Sequence, residues 1–239
     1  MENLLLYTEK MKLNSSMFDL NDKIKASAIL EIFQDVAGLH VEKLGVGFKD
    51  LLEKGLLWVV TRIKFDVIKS PVPYEEVVAE TWPHQSGKID FDRDFLIKSN
   101  TGEVLIKGTS KWCVISLETR KFALPTCVQY PEGSVFYDKV NYEEKFVKTA
   151  SIESREIADF SHTVEYHEID HNMHLNNAFY ATYVFDTMKS DEFSHMQINF
   201  IAECKLGDTI EVFKEKQEDG SVLLSGYSNG VLKFSAEVK

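Results

Sequence analysis

The chain has 239 residues, long for one ordinary domain and short for three, which leaves one large domain or two units of about 120. With 44% hydrophobic and 12% aromatic residues against only 12 glycines and 5 prolines, disordered, collagen-like and low-complexity chains are excluded. Its 27 basic and 38 acidic residues give a net charge of −11, the wrong sign for a general nucleic-acid binder, whose phosphate contacts come from Lys and Arg.

The start, Met1-Glu-Asn-Leu-Leu-Leu-Tyr-Thr-Glu-Lys, holds too short an apolar run for a signal peptide. No window approaches the ~18 apolar residues of a membrane span, so a cytoplasmic protein is expected. Over 27–44, Ile29, Ile32, Phe33, Val36, Ala37 and Val41 recur at spacings of three and four, one buried face of a helix, with Ser27 as N-cap and Gly45 as stop. From 57 to 69, β-branched residues alternate with polar ones after Arg62, a strand ended by Pro71 and Pro73. Further strands are expected at 75–83, 88–98 and 103–116, the last two joined at Asn100-Thr-Gly102. Residues 126–160 read as a linker between units at 1–125 and 161–239, having mixed charge and little periodicity. Beyond it the order returns. A helix is expected over 177–188, Gln197-Ile-Asn-Phe echoes Arg62-Ile-Lys-Phe, and Ser228-Asn-Gly-Val-Leu-Lys echoes Ser99-Asn-Thr-Gly-Glu-Val-Leu-Ile-Lys. Three echoes in one order indicate an internal duplication, an α+β chain in which each copy packs a long helix on a curved antiparallel sheet.

The densest polar cluster, Glu168-Ile-Asp-His-Asn-Met-His-Leu-Asn-Asn177, stands directly before the second helix. A helix start exposes unpaired N–H groups and partial positive charge, which can hold a carbonyl oxygen as it gains negative charge in acyl transfer. His174 can exchange protons near neutral pH when a carboxylate orients it. Simpler roles compete, since Asn176 or Asn177 can serve only as an N-cap and a loop histidine is often merely solvated. His167, Asp170, His171 and His174 match no standard metal-ligand spacing, and no metal or cofactor is expected. Cys113, Cys127 and Cys204 are too scattered for a zinc site or a disulfide framework and fit a reducing compartment.

Asp170-His-Asn-Met-His-Leu-Asn-Asn177, followed by Tyr180, resembles the D-x-N-x-H-x-N-N…Y stretch of fatty acyl-ACP thioesterases. Ile198-Asn-Phe-Ile-Ala-Glu203-Cys204 is similar to that family's second motif, in which Glu-Cys closes a strand. Leu57-Trp-Val-Val-Thr-Arg62, Thr81-Trp82, Ser86-Gly-Lys88, Arg93-Asp94 and Thr109-Ser-Lys-Trp112 resemble the family in the same order, so the likeness runs from about Phe18 to Glu211.

The resemblance implies a tandem (double) hotdog fold and hydrolysis of the thioester between a fatty acyl chain and the phosphopantetheine arm of acyl carrier protein (ACP). It implies a catalytic set of Asp170, Asn172, His174 and Glu203, with Cys204 as an alternative nucleophile. Asn176 and Asn177 would meet the substrate at the helix start, while Ile29, Ile32, Phe33, Val36 and Trp58 would line an acyl pocket in the first unit. The matching stretch of the first half, Asp19-Leu-Asn-Asp-Lys-Ile-Lys-Ala-Ser27, has no imidazole, so one site per chain is expected. Lys98, Lys107, Lys111, Arg120 and Lys121 are candidate docking cations for the acidic carrier. An acyl-CoA thioesterase of the same fold and a non-catalytic acyl-binding module are the alternatives. Acyl length, saturation, physiological role and formation of a homodimer are left open.

Overall fold

The computed structural model describes residues 3–189 and 193–239; Met1 and Glu2, part of the start read above for a leader, lie outside them. In chain order the elements are β1 (Asn3–Leu4), β2 (Tyr7–Lys12), α1 (Ala26–Lys43), α2 (Phe48–Leu52), β3 (Leu56–Val67), β4 (Glu76–Pro83), β5 (Phe91–Ser99) and β6 (Val104–Ser116). There follow β7 (Ser134–Val135), β8 (Phe160–Thr163), α3 (Asn177–Met188), β9 (His195–Phe200), β10 (Thr209–Lys216), β11 (Val222–Ser228) and β12 (Val231–Val238). Apart from a small β1–β7 pair, the strands form one ten-stranded sheet in the order β2-β4-β5-β6-β3-β9-β12-β11-β10-β8. Read from either edge inward, the order is the same: edge strand, then second, third, fourth and first strand after the helix. The chain is thus two copies of one unit, a tandem hotdog, joined where β3 pairs antiparallel with β9 from Arg62↔Asn199 to Asp66↔His195.

The spacing of apolar residues explains each helix. Ile29, Ile32, Phe33 and Val36 of α1 are all buried against the sheet, and α1 packs beside α3, whose Ala178, Ala181 and Val184 are buried too. Phe33 stacks on Phe95 at 4.3 Å between ring centroids and meets Phe65 edge-on at 6.4 Å. Gly108 makes that possible, because a Cβ there would collide with the Phe33 ring. The N-cap of α1 is Lys25 rather than the expected Ser27, and its side chain caps nothing; the helix start is fixed instead by the backbone bond from Lys25 N–H to Met17 O, 2.9 Å. Gly45, at φ +67°, ends the helix region as expected. The first strand after α1 and α2, β3, stops at Val67, two residues short of expectation.

Residues 117–159 hold little regular structure, yet they are tied down across the face of the sheet opposite the helices. Trp82 Nε1 donates to Lys139 O (2.7 Å), Arg62 to Phe146 O (2.6 Å), Gln197 to Val147 O (2.8 Å) and Ile152 N–H to Ser225 Oγ (3.0 Å). Polar residues on that face therefore satisfy a strap that crosses from one unit to the other. No helix of the described residues is long and apolar enough to cross a membrane.

Candidate active site

Between β8 and α3 the chain makes a short 3-10 turn, Tyr166–Glu168, then a tight loop closed by Asp170. Asp170 Oδ1 accepts the N–H groups of Asn172 (2.8 Å) and His174 (3.3 Å), and Asp170 N–H donates to His174 O (2.9 Å). Met173 takes the left-handed φ of +65° that this turn requires. The loop is pinned from below by buried Glu168, which accepts from Glu165 N–H (2.6 Å) and Tyr183 Oη (2.8 Å) and stands 2.9 Å from His162 Nε2.

The folded loop aims His174 at the segment following β9, where His174 Nε2 lies 3.1 Å from Glu203 Oε2. The other oxygen, Oε1, accepts from Arg120 of the first unit at 2.6 Å. Glu203 and Cys204 point in opposite directions: Glu203 is 38% exposed, whereas Cys204 is fully buried. Burial pushes the Cys204 thiol up, and the Tyr180 hydroxyl that hydrogen-bonds it offsets this only in part. Both the burial and the raised pKa disfavour the thiolate. Asn172 Nδ2 is 3.5 Å from Asp170 Oδ2, and His171 meets the ring of Phe48, from α2 of the first unit, at 4.6 Å. The site is thus built by the second unit and bordered by the first.

The first unit carries the same loop without its imidazole. Asp19 Oδ1 accepts the N–H groups of Asn21 and Lys23, both at 2.8 Å, Asp19 N–H donates to Lys23 O, and Asp22 has φ +57°. The bridge Phe18↔Ile24 repeats Ile169↔Leu175. Asp19 and Asn21 are therefore true structural counterparts of Asp170 and Asn172, but Lys23 replaces His174. Ile68 and Lys69 N–H both donate to Leu105 O as Ile201 and Ala202 N–H both donate to Lys233 O, so Ser70 falls in the place of Glu203, and its Oγ faces Ile24 N–H at 3.5 Å. A lysine and a serine stand where the second unit has an imidazole and a carboxylate.

Asn176 is the N-cap of α3, its Oδ1 accepting from Ala178 N–H at 3.0 Å, and Asn177 is the first helical residue. Ile29, Ile32, Phe33 and Val36 lie closed within the main core. Trp58 flanks a second, smaller cluster of Val46, Leu51, Phe91, Val114 and Val128 and donates to Val46 O at 2.9 Å. The imidazoles of His167, His171 and His174 face Phe179, Phe48 and Glu203 respectively, so they do not converge. Four of the five candidate docking cations are already paired: Lys98 with Glu80, Lys107 with Asp66, Lys111 with Asp90 and Asp92, Arg120 with Glu203. Phe48 gave no sequence signal, and Arg120 read as a docking cation because its partner lies 83 positions away.

Comparison with known proteins agrees with this arrangement. Residues 5–124 match the acyl-ACP thioesterase N-terminal domain and residues 150–234 the acyl-ACP thioesterase C-terminal domain. A dodecanoyl-[acyl-carrier-protein] hydrolase of Umbellularia californica is 30% identical over 74% of this chain and 49% of its own length. An acyl-[acyl-carrier-protein] hydrolase, FATB3, of Cuphea viscosissima is 23% identical over 86% of this chain and 53% of its own. The chain thus spans about half the length of these chloroplastic relatives. The crystal structure of an acyl-ACP thioesterase from Bacteroides thetaiotaomicron superposes with a TM-score of 0.86 at 21% identity, covering 98% of this chain and 96% of that one, which shows a shared fold. With both halves matched in order and the His174–Glu203 pair set at the second helix start, the chain belongs to the acyl-ACP thioesterase family.

Proposed function

We propose that the chain hydrolyses fatty acyl-ACP, in the cytoplasm, to free fatty acid and ACP. The observation that carries this reading is the 3.1 Å contact of His174 with Glu203 at the start of α3, in a chain of this family. Glu203 and His174 hold a water and take its proton as the water oxygen attacks the thioester carbonyl carbon; a positioned base contributes about 10²–10⁴-fold. Asn172 orients that water or the thioester, and Asp170 keeps the loop closed. Asn176 takes the N–H groups of Ala178 and Phe179, so the Asn177 N–H at the helix start is the donor we assign to the developing oxyanion. Collapse of the tetrahedral intermediate breaks the C–S bond, and the proton passes to the departing phosphopantetheine sulfur. Cys204 is assigned to packing.

For the acyl chain we propose a seat in the smaller apolar cluster beside Trp58. Support comes from α2, which touches His171 through Phe48 and lines that cluster through Leu51. Ile29, Ile32, Phe33 and Val36 act in this reading as core residues behind it. The test is turnover of acyl-ACPs from eight to eighteen carbons, beside the matching acyl-CoAs, by wild type and three variants. Glu203→Ala and His174→Ala should each lose about 10²-fold or more, while Cys204→Ala should stay within a few-fold of wild type. Loss of turnover in a folded Cys204→Ala would require a covalent acyl-enzyme. Wild-type protein inert toward every thioester would leave an acyl-binding module.

A further inference from the structure

The side chain of Glu203 meets two partners, and only His174 belongs to its own unit. Arg120 reaches it from the turn that follows β6. That turn is closed by Ser116 N–H to Lys121 O (2.9 Å), Arg120 N–H to Ser116 O (2.9 Å), Thr119 N–H to Ser116 Oγ (3.2 Å) and the bridge Ile115↔Phe122. Within it Arg120 has φ +56°, the left-handed region that glycine occupies freely and an arginine does not. The turn itself would therefore be better served by glycine. What glycine could not supply is the guanidinium on Glu203 Oε1, 2.6 Å away in the other unit. Unfavourable backbone retained beside a reacting group points to a role for its side chain.

Resting on the hydrolase reading above, we propose that Arg120 is a positioning residue of the site. Its backbone is fixed by the turn, and its guanidinium holds Glu203 Oε1 so that Oε2 stays turned toward His174 and the attacking water. Both side chains are partly exposed, at 51% and 38%, so the pair adds little to stability. Positioning works differently, because displacing a reacting group by ~1 Å can cost about 10²-fold in rate. Loss of one of two restraints on Glu203 should cost about tenfold.

The experiment compares wild type with Arg120→Gly and Arg120→Lys, on acyl-ACP and on an acyl-pantetheine thioester that lacks the carrier protein, with Tm measured for each protein. Arg120→Gly should keep or raise Tm while kcat falls about tenfold on both substrates at unchanged KM. Arg120→Lys, which restores a point charge, should recover part of the rate. Unchanged kcat in a wild-type-like background overturns the proposal. A raised KM for acyl-ACP alone makes Arg120 a docking cation, and a fall in Tm together with kcat makes it structural; either result also overturns it. A wild-type chain with no thioester turnover overturns the hydrolase reading and takes this inference with it.

Discussion

The paired loops around Asp19 and Asp170 provide a controlled perturbation within one molecule. Each carboxylate closes its loop with two backbone N–H groups, and each is half-buried. A net hydrogen bond is worth about 0.5–1.5 kcal/mol, so truncating either aspartate should cost about 1–2 kcal/mol at these sites. For a chain of this size that lowers Tm by about 3–6 °C. Asp19→Ala and Asp170→Ala should therefore destabilise the protein alike, as read by scanning calorimetry. Their effects on turnover should diverge. Freeing the His174 N–H lets the imbalance reach the imidazole and its contact with Glu203, at a cost of about 10²-fold in kcat, whereas the first loop presents only Lys23. A loss of kcat in Asp19→Ala equal to that in Asp170→Ala would refute the reasoning. So would a normal kcat in Asp170→Ala with its Tm lowered.

Two further outcomes follow from the packing around the site. Burial pushes Glu168 up, but Glu165 N–H, His162 and the Tyr183 hydroxyl outweigh it and hold the carboxyl below its usual range. A depressed folded value means that this stabilisation is present above the unfolded carboxyl's titration near ~4.3 and is lost as pH falls through the folded value. Tyr183→Phe raises the folded value, so its acid-unfolding midpoint, followed by circular dichroism, should move to higher pH; an unmoved midpoint would count against the network. In the core, Gly108→Ala should destabilise by about 1–3 kcal/mol because the new methyl meets the Phe33 ring. Gly38→Ala in α1, with nothing within 4 Å of the new Cβ, should stabilise by about 0.5–1 kcal/mol. Urea denaturation reads both signs, and equal effects would refute the packing account.

Much of this architecture was legible in the residues. The 3.6-residue periodicity of α1 and the Asn229-Gly230 turn, both residues at positive φ, carry the duplication into the structure, whereas the echo of Arg62-Ile-Lys-Phe in Gln197-Ile-Asn-Phe lies two residues out of register, Gln197 corresponding to Lys64. The edge strands β2 and β8 were missed, for β8 has only four residues and alternates between exposed and half-buried. The strap over 117–159 has no period of its own, because its bonds are set by side chains of the sheet beneath it. At the site, the pairing of His174 with Glu203 follows from family resemblance and not from spacing, since only the fold brings them together. The stretch opening on Asp19 matches the Asp170 motif in sequence, but that it folds into the same closed loop was not legible, because Lys23 removes the imidazole by which the motif is recognised. Arg120 gave no sign of its backbone conformation, as Glu118-Thr-Arg-Lys121 lacks the glycine or asparagine that usually marks a left-handed turn residue.

The β3–β9 ladder changes what dilution can do to this molecule. Two separate hotdog units joined by the same five residue pairs would part as their concentration fell, and each would have to carry the same loop. Covalent linkage makes the association intramolecular, so each unit meets its neighbour at a concentration set by the strap and not by how much protein is present. It also removes the demand for symmetry. A lysine could replace the imidazole in one loop, and a turn of that same half could lend its arginine to the other, without any second copy being altered in step.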